Sequence, residues 1–298
     1  MKTLFLLMKR NIKMFFKDKG LFLTSLITPM ILLVLYVSFL GNVYRDSFTM
    51  NLPEGITVSE DLIDGYVAGQ LISSILAVSC VTVAFCSNFL MVQDKANGTI
   101  KDLRITPVSP SVLSLGYYLS SFLSTLMICF LATSLCIGYV GIVGWYMSIA
   151  DVLCLYLDVL LLTLFGTALS SVINFFLSSQ GQISAVGTLV SSCYGFICGA
   201  YMPISSFNEG LQRVISFLPG TYGTVLVRFH STRGVFSAMA NENVPAEYIK
   251  ASMDAIDANF YFFNDQVSTQ MMYLVLSLTI VVLIGAYILQ NTVKNKVK

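Results

Sequence analysis

The chain has 298 residues, of which 56% are hydrophobic and 11% are charged, and its formal net charge is +1. Soluble domains carry about 25% charged residues, so this composition excludes an ordinary water-soluble protein. The near-zero net charge also gives no reason to expect a nucleic-acid partner.

Six apolar segments are each long enough to cross a bilayer, which takes about 20 helical residues. They predict an all-α membrane protein with six transmembrane helices, organised as a single transmembrane domain over residues 1–298. The predicted spans are Leu21–Leu40, Tyr66–Val92, Val112–Val140, Val152–Leu177, Ser184–Met202 and Gln270–Gln290.

Residues 1–19 precede the first span and predict a basic amphipathic helix in the cytoplasmic interface. Phe5, Met8, Ile12 and Phe15 recur at helical spacing, and a second face carries lysines four residues apart. The helix is interpreted either as a plain anchor or as a docking surface for a cytoplasmic partner.

Lysine and arginine cluster before the first span, between the second and third, and after the sixth. The loop after the first span is acidic instead. Because basic residues near span ends favour the cytoplasm, both termini are predicted to be cytoplasmic, and residues 203–269 are predicted to be extracellular.

The segment 93–110 is the most distinctive polar stretch. Asn97-Gly98 indicates a turn, and Thr99 is a candidate helix cap. Leu103 and Ile105 are apolar in an otherwise polar loop. These features predict a short cytoplasmic helix that presents apolar side chains to another protein, and an ordinary basic loop is the alternative.

The fourth span contains Asp158, and Asn174 follows further along the same helix. A carboxylate in the membrane costs a few kcal/mol and needs a partner, water or a proton. Asp158 is therefore expected either to line a wet cavity or to be a buried carboxyl, bonded to hydroxyls of a neighbouring span or hydrated near the outer boundary. The first alternative would suit an ion-coupled secondary transporter.

The fifth span carries a stripe of small residues at four-residue intervals, Gly187, Ser191, Gly195 and Gly199. Such a stripe allows another helix to approach closely. The pattern predicts packing, either within the subunit or at a dimer seam.

Two short apolar helices with a break between them are predicted after the fifth span. The first contains Phe207, Leu211 and Ile215, the break falls at Pro219-Gly220, and Val225–Phe229 is too short to span. This pattern predicts a re-entrant or interfacial hairpin on the outer side.

Motifs for chemistry are missing from the sequence. It contains no G-x-x-x-x-G-K-[ST] loop and no H-E-x-x-H, and His230 is the single histidine. The seven cysteines all fall in apolar spans, where they are interpreted as packing residues. No enzyme activity, cofactor, metal site or disulfide is expected in this chain.

In their order along the chain, these features resemble the type-2 ATP-binding-cassette exporter permeases, which serve antibiotic-resistance, polysaccharide and lipid export. The resemblance covers nearly the whole chain. Its motif residues are Asp94, Gly98-Thr99, Leu103 and Thr106-Pro107-Val108 on the cytoplasmic side, and Pro203, Leu211, Ile215, Pro219, Tyr222 and Arg228 on the outer side.

The resemblance implies a dimer of permeases, identical or homologous, in a prokaryotic plasma membrane. A separate cytoplasmic P-loop ATPase would bind ATP and magnesium, and the cargo would be amphipathic, drug-like, peptidic or lipid-linked. The implied ATPase-coupling residues are Asp94, Gly98, Thr99, Asp102, Leu103, Arg104, Ile105 and Pro107. The implied outer-gate residues are Pro203, Phe207, Leu211, Ile215, Pro219, Tyr222 and Arg228.

The sequence departs from the family pattern at two places. The cytoplasmic acidic residue is Asp94 instead of Glu, and Tyr117 follows Gly116 where the family has lysine. Residues 231–266 also form a longer outer loop. Two alternative functions stay open at this point, the ion-coupled transporter that uses Asp158 and a non-transporting immunity or sensor protein.

Overall fold

The computed structural model describes residues 2–50, 58–242, 244–263 and 265–296, and this part of the chain is almost entirely helical. In chain order the elements are α1 (Lys2–Lys17), α2 (Lys19–Leu35), α3 (Gly41–Met50), α4 (Glu60–Ala96), α5 (Thr99–Ile105), α6 (Pro110–Val143), α7 (Ile149–Asn174), α8 (Gln180–Ile197), α9 (Glu209–Ser216), α10 (Pro219–Asn241), α11 (Ala246–Ala255), β1 (Tyr261–Phe262), β2 (Asp265–Gln266) and α12 (Thr269–Lys296). A π-helical stretch joins α2 to α3, and β1 pairs antiparallel with β2.

Four of the described helices, α4, α6, α7 and α12, are long and apolar enough to cross a membrane. The helices α1 and α2 also qualify as one pair bent by 72°, which makes up to five. The chain is therefore a multi-pass, all-α membrane protein. The predicted fifth span corresponds to α8, which has 18 residues and begins with Gln180. Because α8 is not among the qualifying helices, the count of six spans stays a prediction.

The helix α4 is at the centre of the protein. Its most apolar window is 100% buried, and α2, α6, α7, α8 and α10 all pack against it. A Cβ on Gly166 of α7 would lie 3.0 Å from the carbonyl oxygen of Cys80, and a Cβ on Gly69 would lie 2.7 Å from that of Ser231 in α10. Small residues thus bring α7 and α10 into backbone contact with α4.

The outer faces of α6 and α12 carry large apolar side chains. Only 22% of the most apolar window of each helix is buried, and Leu131, Leu135, Val281 and Val282 are exposed. In water such continuous apolar faces would be unfavourable, since each buried CH₂ is worth about 0.8 kcal/mol. In a bilayer these faces contact lipid chains.

The segment after α8 differs from its predicted length. The chain does break before Pro219, but α10 continues from there for 23 residues instead of ending near Phe229. Phe207 precedes α9 and is not part of it. The first predicted short helix exists as α9. The predicted length of the second was wrong because Arg228, His230 and Arg233 interrupt the apolar pattern of α10. The first two side chains are nevertheless buried and paired inside the protein.

The face of α1 that packs on the protein shares Phe15 with the apolar spacing noted in the sequence, but not Phe5. Leu7, Asn11 and Phe15, four residues apart, face the protein, whereas Phe5 is exposed. The helix packs mainly on α6. Apolar spacing alone did not indicate this face because the polar Asn11 lies in the centre of the contact.

The contact of Gly234 in α10 with the connection between α6 and α7 gives a stability prediction. A Cβ at this position would lie 2.0 Å from the carbonyl oxygen of Tyr146. Gly234→Ala should therefore displace α10 and destabilise the protein by about 1–3 kcal/mol, the usual cost of overpacking. The check is the midpoint of thermal unfolding in detergent.

Gly285→Ala on α12 is the matched control, because no described atom outside the adjoining turns of its own helix lies within 4 Å of its Cβ position. This variant should keep or slightly raise the midpoint, since alanine favours helix. Equal midpoints for the two variants would contradict the close approach of α10.

Candidate functional site

Asp94, at the end of α4, joins three helices. Arg10 of α1 donates to both carboxylate oxygens, at 2.5 and 3.1 Å, and the Tyr117 hydroxyl of α6 donates to Oδ2 at 2.6 Å. The Asp94 side chain is only 4% exposed. It therefore lies behind the predicted coupling surface and holds α1 and α6 against α4.

The neighbouring Lys95 attaches the same end of α4 to α7. Its ammonium group donates to the carbonyl oxygens of Asn174, Phe175 and Leu177 at 2.9, 2.8 and 3.2 Å. A cation at a helix C-terminus satisfies carbonyl groups that have no partner within the helix. Asn174, predicted as an intramembrane polar residue, is thus fully buried at the end of α7.

The short helix predicted within residues 93–110 exists as α5. Gly98 occupies its N-cap with a φ of 82°, so the expectation that Thr99 caps the helix was wrong. Ile100 and Leu103 pack inward against a cluster formed by α1, α4, α6, α7 and α12, whereas Ile105 is 85% exposed. Asp102, Arg104 and Pro107 are exposed as well. The helix is therefore seated on the protein through one face and presents Ile105 outward.

Asp158 of α7 is completely buried and fully paired. His230 Nδ1 of α10 lies 2.6 Å from Oδ2, and the Tyr273 hydroxyl of α12 donates to Oδ1 at 2.5 Å. The structure therefore corrects the interpretation of Asp158 as a cavity-lining residue and agrees with the buried, hydrogen-bonded alternative. Sequence reasoning missed His230, although a lone intramembrane carboxylate and a lone histidine were both visible.

Arg228 of α10 forms a polar cluster, here called the outer clasp, with Gly199, Ile204, Ile256 and Asp257. Its guanidinium donates to the carbonyl oxygens of Gly199 and Ile256, both at 2.8 Å, and lies 3.6 Å from Asp257. The Asp257 carboxylate accepts the N–H of Ile204 at 2.6 Å. The outer clasp thus joins the chain after α8, the chain after α11 and α10.

The backbone of the outer clasp is unusual at two positions. Gly199 has a φ of 73° and Asp257 a φ of 56°, both in the left-handed region. Burial raises the pKa of Asp257 to about 6, although the nearby Arg228 acts in the opposite direction. Asp257 was not singled out in the sequence, and its positive φ gives no sequence signal.

The other predicted gate residues are divided between two environments. Tyr222 is buried on α10 with its ring 4.9 Å from that of Phe260, and Ile215 of α9 is also buried. Leu211 of α9 is exposed. Pro219 begins α10, and Pro203 lies in the turn between Gly199 and Ile204.

The stripe of small residues on α8 has more than one role. A Cβ on Gly187 would lie 3.3 Å from the Phe89 ring of α4, so this position does permit a close helix contact. Gly195 is covered instead by the Tyr201 ring, whose hydroxyl donates to the Ser191 carbonyl at 3.4 Å. Gly199 lies beyond the end of the helix. The predicted continuous helix-packing stripe is therefore wrong at its last two positions.

A groove of about 960 Å³, here called the α2/α8 groove, runs between α2 and α8 with α4 behind it. One end is lined by Asp18, Gln93 and Gln180, and the other by Leu40 and Tyr201. Its walls combine leucine and isoleucine from α2 with serine and threonine from α8. An amphipathic molecule would find both kinds of contact along this groove.

Comparison with known proteins identifies one family. The family model for the ABC-2 type transporter matches residues 2–229, which is more than three quarters of the chain. A search of curated proteins gave no match. The matched region includes α1 to α9, the α2/α8 groove, and the part of α10 that contains Arg228.

Removal of His230 should destabilise the protein strongly. His230→Ala leaves a buried carboxylate with one partner fewer, and breaking a buried pair in this way costs about 3–5 kcal/mol. Adding Asp158→Asn removes the uncompensated charge and should recover part of the loss. Unfolding of the two single variants and the double variant in detergent measures this coupling, and strictly additive losses would contradict the pair.

The raised pKa of Asp257 predicts a pH-dependent stability. The pKa of Asp257 is about 6 in the folded protein, above its ordinary value of 3.8. The folded state therefore holds the proton more tightly, and this contribution to stability is full below about pH 4 and is lost as the pH rises through about 6.

Asp257→Asn cannot titrate and still offers an oxygen to the Ile204 N–H. The free energy of unfolding of the wild type, minus that of this variant, should fall as the pH is raised through that window. A difference that stays constant across the window would show that Asp257 does not titrate there.

Proposed function

The chain belongs to the ABC-2 type transporter family, and on this basis we propose that it is the permease subunit of an ATP-driven exporter of amphipathic cargo. Members of this family generally work with an ABC ATPase, and the permease itself is a transport subunit. The observation that carries the proposal is α5, whose inner face is seated on the protein and whose Ile105 is exposed.

We propose that α5 docks into the separate ATPase, which binds ATP and magnesium. Ile105 is the apolar contact, and Lys101 and Arg104 beside it are exposed cations. Complementary charge on a partner would speed and orient its docking. The ties of Asp94 to Arg10 and Tyr117, and of Lys95 to α7, would then pass a displacement of α5 to α1, α6 and α7.

We propose that the protein has six spans. Four are the single helices α4, α6, α7 and α12, which qualify by length and composition, and the other two are α2 and α8. The bend of 72° between α1 and α2 suits an amphipathic α1 lying in the cytoplasmic interface of the plasma membrane. Both termini then face the cytoplasm, in agreement with the positive-inside rule.

The outer hairpin is proposed to be re-entrant and to act as a gate. A Cβ on Gly220, near the start of α10, would lie 3.4 Å from the Phe165 ring of α7. Phe165 is 16 residues after Ile149, which is about 24 Å along α7 at 1.5 Å per residue. The contact of Gly234 with Tyr146 places the other end of α10 beside the connection between α6 and α7. The outer clasp would hold this hairpin closed.

The α2/α8 groove is the proposed pathway for cargo. Ser184, Thr188 and Ser192 on α8 line it, and apolar side chains of α2 face them. A second permease, identical or homologous, would close the open side of the groove. The combination of apolar and hydroxyl walls favours a lipidic or drug-like amphipathic cargo over a small ion.

The ion-coupled alternative is disfavoured by the surroundings of Asp158. Both carboxylate oxygens are engaged, by His230 and by Tyr273, and the side chain has no exposed surface. An ion site would need exchangeable access to that carboxylate. The pairing assigns Asp158 to holding α10 and α12 against α7.

The proposal predicts that Ile105→Asp breaks coupling to the ATPase. An apolar anchor in an interface is worth about 2 kcal/mol or more, so docking should weaken by about 30-fold. The measurement is a pull-down in mild detergent with mass spectrometry and an ATPase assay. The expected result is a P-loop ATPase that co-purifies with the wild type and is lost with the variant.

Ile142→Asp on α6 is the matched control, because Ile142 is 87% exposed and Ile105 is 85% exposed, at opposite ends of the protein. Leu103→Asp is less specific, since Leu103 packs on the chain itself. Equal recovery of the ATPase with Ile105→Asp and with Ile142→Asp would refute docking through α5.

A further inference from the structure

A second cavity, here called the tyrosine cavity, adjoins the end of the α2/α8 groove that is lined by Leu40 and Tyr201. It has a volume of about 680 Å³ and is formed by α3, the outer part of α4, the chain after α8, and α11. Four tyrosines and a phenylalanine contribute to its walls, namely Tyr44, Phe48, Tyr66, Tyr201 and Tyr248. The volume lies in the range of cavities that hold drug-sized molecules, about 300–1,000 Å³.

One polar group in the tyrosine cavity has no partner. Gln70 of α4 lines the cavity and is only 1% exposed, and its Oε1 accepts no hydrogen bond from the described residues. A buried acceptor without a donor lowers the stability of the folded state by about 1–3 kcal/mol, so such groups are uncommon in protein interiors. The arrangement is that of a site in which a bound molecule supplies the donor.

The lining also limits the charge of that molecule. No described residue in the wall carries a charge at neutral pH, and Phe48 packs against Tyr66 with ring centroids 4.7 Å apart. An ionised group would contact no charged side chain among the described residues of this wall, which is unfavourable. Aromatic walls instead favour the flat faces of rings.

We infer that the tyrosine cavity binds an uncharged amphipathic molecule that carries a ring system and an O–H or N–H donor for Gln70. This inference rests on the proposed export function and names the class of cargo. Leu40 and Tyr201 line both the tyrosine cavity and the α2/α8 groove, so the two spaces adjoin there. The tyrosine cavity is then the last holding site before the outer hairpin.

Photolabelling of the full chain in lipid nanodiscs tests the assignment. The probe is 4-(hydroxymethyl)benzophenone, which is neutral and carries a ring system and one O–H donor. Its label, located by mass spectrometry, is expected on residues 40–48, 66–70 and 248–256. Benzophenone-4-carboxylate keeps the rings but is charged, and 4-methylbenzophenone lacks the donor, so both should label these residues less.

Two variants address the site directly. Gln70→Leu removes the acceptor at similar volume and should reduce labelling of the tyrosine cavity by about three- to tenfold, the effect of one hydrogen bond. Ala255→Phe fills the cavity from α11, where Ala255 is exposed, and should abolish the label without touching Gln70.

Gln290→Leu on α12 is the matched control. Its Oε1 is also buried without a partner among the described residues, but Gln290 does not line the tyrosine cavity. This variant should label like the wild type. Label that is spread over α6 and α12, or that Gln70→Leu and Ala255→Phe leave unchanged, would overturn the inference.

The ATPase pull-down separates this inference from the proposed function. Co-purification of the ATPase without label in the tyrosine cavity would leave the export function standing and refute the cavity. Label in the tyrosine cavity without co-purification of an ATPase would support the cavity as a binding site and contradict the proposed export function.

Discussion

The interior of a bilayer offers no water to a charged group, and the positions of the buried ionisable side chains follow from this constraint. Asp94, Asp158 and Arg228 are each buried, and each contacts groups from two other segments of the chain. Since an uncompensated charge there costs several kcal/mol, the segments must stay together for the charge to stay paired. The same constraint therefore confines buried ionisable side chains to positions where partners are available. These side chains then hold neighbouring segments together.

These contacts between distant segments explain which features could be predicted from the sequence and which could not. Span lengths follow from apolar runs, and the turn at Gly98 together with the apolar Leu103 and Ile105 indicated the short helix α5. The demand of Asp158 for a partner was also visible. The identity of that partner could not be predicted, because His230 is 72 residues away from Asp158 and no local pattern connects the two. The length of α10 was missed for the same reason, since its cations appear unfavourable until their partners are known.

The two positions at which the sequence analysis expected a departure from the family pattern are in contact in the structure. They are Asp94 and Tyr117, and the Tyr117 hydroxyl donates to Asp94 at 2.6 Å. Gly116 beside it allows α1 to approach, since a Cβ there would lie 3.3 Å from Leu7. Two positions that are 23 residues apart in sequence are therefore in contact, and this contact holds α6 to the end of α4 that Arg10 attaches to α1.

The path from α5 to the tyrosine cavity runs along one helix. The helix α4 has 37 residues and is about 55 Å long at 1.5 Å per residue. Asp94 and Lys95 attach one of its ends to α1, α6 and α7, and Gln70 faces the tyrosine cavity near the other. The most apolar window of α4 is completely buried. Under the proposed docking of an ATPase at α5, a displacement there would tilt α4 or slide it against α10. Either movement would change the contact between Gly69 and Ser231, one residue from Gln70, and would thereby alter the wall of the tyrosine cavity.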